Sequence, residues 1–425
     1  MIVKSQEAVM ADVRDGMSLS PDRGRGRSAE RTAHKEMKRR RRGRNSDNQL
    51  GSGDFVLTAL VLGLTVFGII MVFSASYYTA INSDGSPYNF LIRQTIYAVG
   101  GGIACLFFAV IDYHFLAKFS TTFYVVTVAM IAMTYTGLGA TYNKAARWIA
   151  LGPITIIPGE IAKLSCILLC AWWISNKKHS DLDPVNSLLP LLVMIAVPAA
   201  LVYFQPSTTT AATILIIATG ILFVAGIRLI YLAAAGVLGV AVLLIHVLQS
   251  GNSSYRALRL TSFLDPFADE QGSGYQVVQG LYALASGGLK GLGIGKSVQK
   301  TLYLPDPQND FIFAIIGEEL GYIGLLVLLA AYMFLIWRCV RIALRTPDLL
   351  GLLIASGITI MLAVQVLMNI MVVTSLMPPT GVTLPFVSFG GTAILLFLSS
   401  MGIMINISRH ESKPGKKTRD HGRTV

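Results

Sequence analysis

Ten apolar runs, most of them near twenty residues long, constrain this chain more than any motif does. They cover approximately 55–76, 92–111, 119–138, 159–175, 187–204, 211–227, 229–248, 311–337, 349–374 and 387–407. Wound as a helix, a run of that length matches the hydrocarbon thickness of a bilayer. None shows the strict alternation of a membrane β-strand, which excludes a β-barrel. The chain has 425 residues, 53% of them hydrophobic and 14% charged, and a soluble domain could not bury that much apolar surface. The expected fold is an all-α polytopic membrane protein with about ten transmembrane helices.

Charge sets the expected topology. The first 50 residues hold 13 Lys and Arg against 7 acids, including the run Lys38 to Arg44. Placing the N-terminus inside puts 26 of the 35 Lys and Arg on the inner side, counting Lys118, Lys177, Lys178, Arg228, Arg338, Arg341, Arg345 and both tails. The positive-inside rule then makes both termini cytoplasmic, as an even number of spans requires. Three regions follow: a basic tail over 1–50, expected to be disordered, a membrane domain over 51–410, and a second basic tail over 411–425. Beside a membrane core, basic tails serve topology and anionic lipid rather than nucleic acid. No signal peptide is expected, because the first apolar run begins only near Phe55.

Between the seventh and eighth runs lies a large extracytoplasmic loop, 249–310. Within it Gly274 to Ser286 has the pattern of an amphipathic interfacial helix, and Gly287 to Lys300 is Gly-rich. No GxxxxGK[ST] stretch is present, so a nucleotide P-loop is excluded. Cys105, Cys166, Cys170 and Cys339 all sit in or at the ends of apolar runs, where they read as small hydrophobes rather than a disulfide or metal set.

Several outer basic residues run against the charge bias and need a reason. In NKAARWIALGPITIIPGEIAKL (Asn143 to Leu164), Arg147 precedes a Gly-Pro turn. Glu160 and Lys163 follow, one helical turn apart on one face. They read equally as a mutual ion pair and as the lining of a cavity. Gln205 to Thr210 forms a hydroxyl-rich turn, for which helix capping is a sufficient account. Gln299 and Lys300 end the Gly-rich stretch, Ser388 lies in PFVSFGG, and these three complete the candidate substrate-binding set with Arg147, Glu160 and Lys163.

The candidate catalytic residue is Asp310, in YLPDPQNDFIFAIIGEELG (Tyr303 to Gly321). It precedes an apolar helix, so it is also a plausible N-cap. A helix N-terminus lowers carboxylate basicity, whereas burial raises it, and a general base needs the second effect to offset the first. Glu318 and Glu319 lie deeper and read as packing or lipid-headgroup contacts. Cations suit a diphosphate anion, and the membrane position suits a substrate whose apolar tail stays in the bilayer. A lipid-diphosphate-linked sugar meets both demands. Asp310 would take a proton from an acceptor hydroxyl while cations stabilise the leaving diphosphate. No metal ligand set is read here, although diphosphate chemistry often recruits a divalent cation such as Mg or Mn.

Taken together, ARWIALG, PGEIAKL, YQVVQGLYALASGG, GLGIGKSVQK, the Asp310 stretch and PPTGVTLPFVSFGG resemble the SEDS family of bacterial cell-wall polymerases, over residues 55 to 410. Pro-Gln before Asn-Asp-Phe is more like its division and sporulation members than its elongation members, and the division type is favoured. The resemblance implies ten transmembrane helices and peptidoglycan glycosyltransferase activity on lipid II. It further implies a catalytic Asp310, a class B penicillin-binding protein and other division proteins as partners, and residence in the cytoplasmic membrane at the septum. Ser207 stands where the family commonly has Asp, Asn or His, and Phe389 where it usually has Tyr. A lipid II flippase and a division scaffold are the competing functions.

Overall fold

The computed structural model describes residues 53–136, 139–142, 145–151, 154–176, 189–205, 207–228, 230, 231, 236, 239, 263–272 and 274–410. These belong to one compact unit, Gly51–Val425. Most of the seventh apolar run, all of 249–262, Lys144 and both basic tails lie outside the described residues.

Helices account for nearly all of it, in the order α1 (Phe55–Asp84), α2 (Asn89–Val110), α3 (Tyr113–Lys118), α4 (Ser120–Met133), α5 (Pro158–Asn176), α6 (Leu189–Phe204), α7 (Thr208–Val224), α8 (Tyr275–Ser286), α9 (Ile312–Arg345), α10 (Leu349–Val373) and α11 (Gly391–Arg409). Among the described residues α1, α2, α9, α10 and α11 are long and apolar enough to cross a membrane, while α4, α6 and α7 are shorter apolar helices. The chain is therefore a multi-pass membrane protein. Local chemistry sets several ends. The Asp54 carboxylate accepts the Leu57 N–H at 3.0 Å and starts α1, and Asp348 does the same for the Gly351 N–H and α10. An Arg338–Asp54 ion pair ties α9 to the start of α1. Helices α5, α10 and α11 are buried along most of their length. In contrast α2 turns Ile92, Ile96, Val99, Ile103 and Leu106 outward, as a lipid-facing helix does.

Two features depart from the all-α expectation. Three strands, β1 (Gly139–Tyr142), β2 (Ala145–Leu151) and β3 (Ile154–Ile156), form an antiparallel sheet. Only Trp148 and Ile149 of Ala145–Leu151 are β-favouring, but the strand is central and pairs on both edges, which satisfies its backbone without a helix. The second departure is in α9, where Gly321 has φ 70° and ψ −172° and breaks the helix in two. The amphipathic segment forms α8 as expected, burying Val277, Val278, Gly280 and Ala283.

Candidate active site

A β-bulge presents the first cation. Ala140 pairs with Trp148 and Thr141 with Ala146, which leaves Arg147 as the extra residue of β2. Bulges bend a strand and re-aim the side chain they carry. The Arg147 guanidinium donates from Nε to the Gln205 carbonyl at 3.1 Å. Gln205, itself 3% exposed, is fixed by its side-chain amide, which donates to the Ile131 carbonyl and to Thr134.

The first two turns of α5 supply Glu160 and Lys163. Their side chains are 13% and 1% exposed and meet at 2.7 Å, so the ion pair that their spacing suggested is formed. Lys163 Nζ also donates to Gln365 Oε1 at 2.8 Å and lies 5.9 Å from the Phe397 ring centre. Arg147, Glu160, Lys163 and Gln365 line a common cavity of about 110 Å³ with Ser207, Thr209, Thr210, Thr213 and the segment Thr380–Val382. The same cavity is thus both ion-paired and polar-lined.

Asp310 stands beside this cavity. A Cβ built on the lining residue Gly381 would be 3.8 Å from Asp310 Oδ2. Asn369 of α10 clamps the two segments, since its Nδ2 donates to the Asp310 carbonyl at 2.8 Å and to the Val382 carbonyl at 2.6 Å. The N-cap expectation for Asp310 is corrected. Phe311 occupies the N-cap position of α9 and makes no side-chain cap bond, and Asp310 lies one residue further out. The reason is packing: Phe311 is fully buried, with its ring against Gly280 of α8, and it holds the chain in line with the helix one residue later than the polar pattern suggests.

Three other candidates are drawn elsewhere. Lys300 is 2% exposed and donates to Glu319 at 2.7 Å and to Ser74 at 3.0 Å, so its ammonium balances a buried carboxylate instead of lining the cavity. Gln299 gives its backbone N–H to Glu318. Ser388 accepts the Leu384 N–H at 2.8 Å, and its carbonyl accepts from Gln94, which fastens the turn before α11. Glu318 and Glu319 are fully buried, so they touch no lipid headgroup. Glu318 takes bonds from Ser297 and the Val298 N–H.

Gln365, Asn369 and Thr380 are the site residues that sequence reasoning passed over. The signal existed for two of them. Gln365 and Asn369 are polar residues four apart in an apolar run, hence on one helix face, and polar groups inside a span are functional by default.

A family model described as cell cycle protein, FTSW_RODA_SPOVE, matches residues 55–413. Stage V sporulation protein E of Bacillus subtilis is 38% identical over 360 residues, covering 84% of this chain and 98% of that protein. A probable peptidoglycan glycosyltransferase FtsW of Trichlorobacter lovleyi is 35% identical, covering 85% and 94%. Among solved structures, a chain of a peptidoglycan synthase complex that coordinates polymerization and crosslinking superposes with a TM-score of 0.69 at 26% identity, covering 84% of this chain and 98% of that one. The rod shape determining protein RodA of Thermus thermophilus shares the fold, with a TM-score of 0.63 at 24% identity, covering 85% and 98%.

Proposed function

This chain belongs to the FtsW/RodA/SpoVE family of cell cycle proteins, and on that premise we propose that it is a peptidoglycan glycosyltransferase that polymerises lipid II. The observation that carries the reading is the carboxylate of Asp310 beside a polar cavity that also holds Arg147 and Lys163. In this scheme Asp310 accepts the proton of an acceptor-sugar hydroxyl as that oxygen bonds to the anomeric carbon of the donor. The bond from that carbon to the diphosphate oxygen breaks, and the diphosphate leaves with the electron pair. Arg147 and Lys163, the two cations lining the cavity, offset the developing charge. The Asn369 clamp holds the base loop and the Gly381 loop at a fixed separation.

The finer topology belongs to the same proposal: ten spans, both termini cytoplasmic, and the loop 249–310 with Asp310 on the outer face. So do a class B penicillin-binding protein as cross-linking partner, supported by likeness to a chain of a synthase complex, and duty at the septum, for which the family's description as cell cycle proteins is the support. The described residues contain no group of three or more His, Cys, Asp or Glu suited to a metal ion. A divalent cation such as Mg or Mn would then be held chiefly by the diphosphate oxygens and water.

The test is Asp310→Asn in the full chain, assayed with lipid II and the partner transpeptidase. Polymerisation should fall at least about a hundredfold, the range lost with a general base, while the thermal unfolding temperature stays near that of the unaltered protein. Retained polymerisation would sink Asp310 as the base, whereas lost polymerisation with an unchanged unfolding temperature would count against a flippase or a scaffold, neither of which needs a base at that position.

A further inference from the structure

Thr380 carries an observation that the reaction scheme does not use. Its Oγ1 is buried and has no hydrogen-bond partner among the described residues, yet the residue lines the cavity that holds Arg147, Glu160 and Lys163. Neighbouring hydroxyls on that wall are satisfied within the fold. Ser207 donates to Thr210 at 3.0 Å, and Thr213 donates to the Thr209 carbonyl at 2.8 Å. A buried hydroxyl left unmet destabilises the protein that carries it and calls for an explanation. Valine would fill the same space without that cost.

Position supplies the explanation. Thr380 directly precedes Gly381, whose backbone is in the left-handed region at φ 69° and adjoins Asp310 Oδ2. One residue further on, the Val382 carbonyl is held by the same Asn369 amide that holds the Asp310 carbonyl. The hydroxyl and the carboxylate are therefore fixed on two segments that a single side chain clamps together. We propose that Thr380 is a substrate-binding residue: its hydroxyl donates a hydrogen bond to an oxygen of the lipid-linked saccharide bound beside Asp310. The inference rests on the glycosyltransferase reading above and adds a specific contact to it.

The experiment uses the full chain with its partner and compares Thr380→Val with Thr380→Ser. Two readouts are needed, thermal unfolding without substrate and the lipid II concentration that gives half-maximal polymerisation. Thr380→Val should unfold at a higher temperature than the unaltered protein and need about tenfold more lipid II, the value of one hydrogen bond. Thr380→Ser should return both readouts towards the starting values. An unchanged lipid II requirement in Thr380→Val overturns the inference. So does a lower unfolding temperature, which would mean that the fold or a bound water already satisfies the hydroxyl. Failure of the unaltered protein to polymerise overturns the glycosyltransferase reading separately. In that event the rise in unfolding temperature on adding lipid II decides: lost in Thr380→Val, it keeps the binding role; equal in both, it removes it.

Discussion

Lys163 shows what a single buried charge demands. Its ammonium is 1% exposed and is met by Glu160 at 2.7 Å and Gln365 at 2.8 Å. Removing one partner of a buried pair strands the other charge, at a cost of about 3–5 kcal/mol. Lys163→Met should therefore lower the unfolding temperature by several degrees, and Glu160→Gln added to it should recover part of the loss, as thermal denaturation in detergent would show. Equal unfolding temperatures for the single and double variants would contradict a coupled pair. The pair itself was legible, because residues three apart on a helix face one another. Its third partner was not, because Gln365 is 202 residues away from Lys163 and no local spacing links them. Lys300 illustrates the opposite case. A lysine in a loop reads as a ligand for phosphate, and only the fold reveals the carboxylate of Glu319 that takes it up.

Among the elements, α9 is the one that the sequence misrepresents. The run 311–337 has helical character and contains no proline, so it reads as one unbroken helix. At Gly321 the backbone adopts a conformation that is essentially confined to glycine. The broken ladder is completed from outside the helix. Leu292 and Gly293 donate to the carbonyls of Glu318 and Glu319, and Tyr322 and Ile323 donate to the carbonyls of Gly288 and Leu289. The glycine-rich loop is thus the surrogate partner for the missing turn, and its composition makes sense only once that pairing is seen. A Cβ on Gly321 would sit 2.3 Å from the Gly291 nitrogen. Gly321→Ala should cost more than about 2 kcal/mol in stability and, by pushing the loop off the half-helix that follows Asp310, reduce polymerisation as well. Thermal unfolding and glycan gels on one preparation check both. The small sheet was hidden for a different reason: its strands are short, and the bulge at Arg147 interrupts the alternation that would have marked them.

For the whole molecule, composition and the length of the apolar runs together were enough to indicate a helical membrane protein, because apolar area on this scale needs lipid and runs near twenty residues cross it as helices. Where the site lies needed tertiary structure. Arg147, Glu160, Gln365 and Thr380 come from β2, α5, α10 and the segment before α11, and no periodicity reports how distant elements meet. The lining begins at Arg147 and the family match at residue 55. Deleting residues 1–45 should accordingly leave polymerisation by the purified protein within about twofold of the full chain, and a larger loss would assign the basic tail a part in the reaction. The interruption at Gly321 has a further consequence for how the protein sits in lipid. From Tyr322 to Trp337, where the arginines begin, the second half of α9 is about 24 Å long at 1.5 Å per residue, shorter than a hydrocarbon core of about 30 Å, so the crossing is completed on the Asp310 side of the joint. At that depth no water is available to meet an open backbone group, so the bonds that the glycine-rich loop makes on both sides of Gly321 are what lets the helix break inside the bilayer.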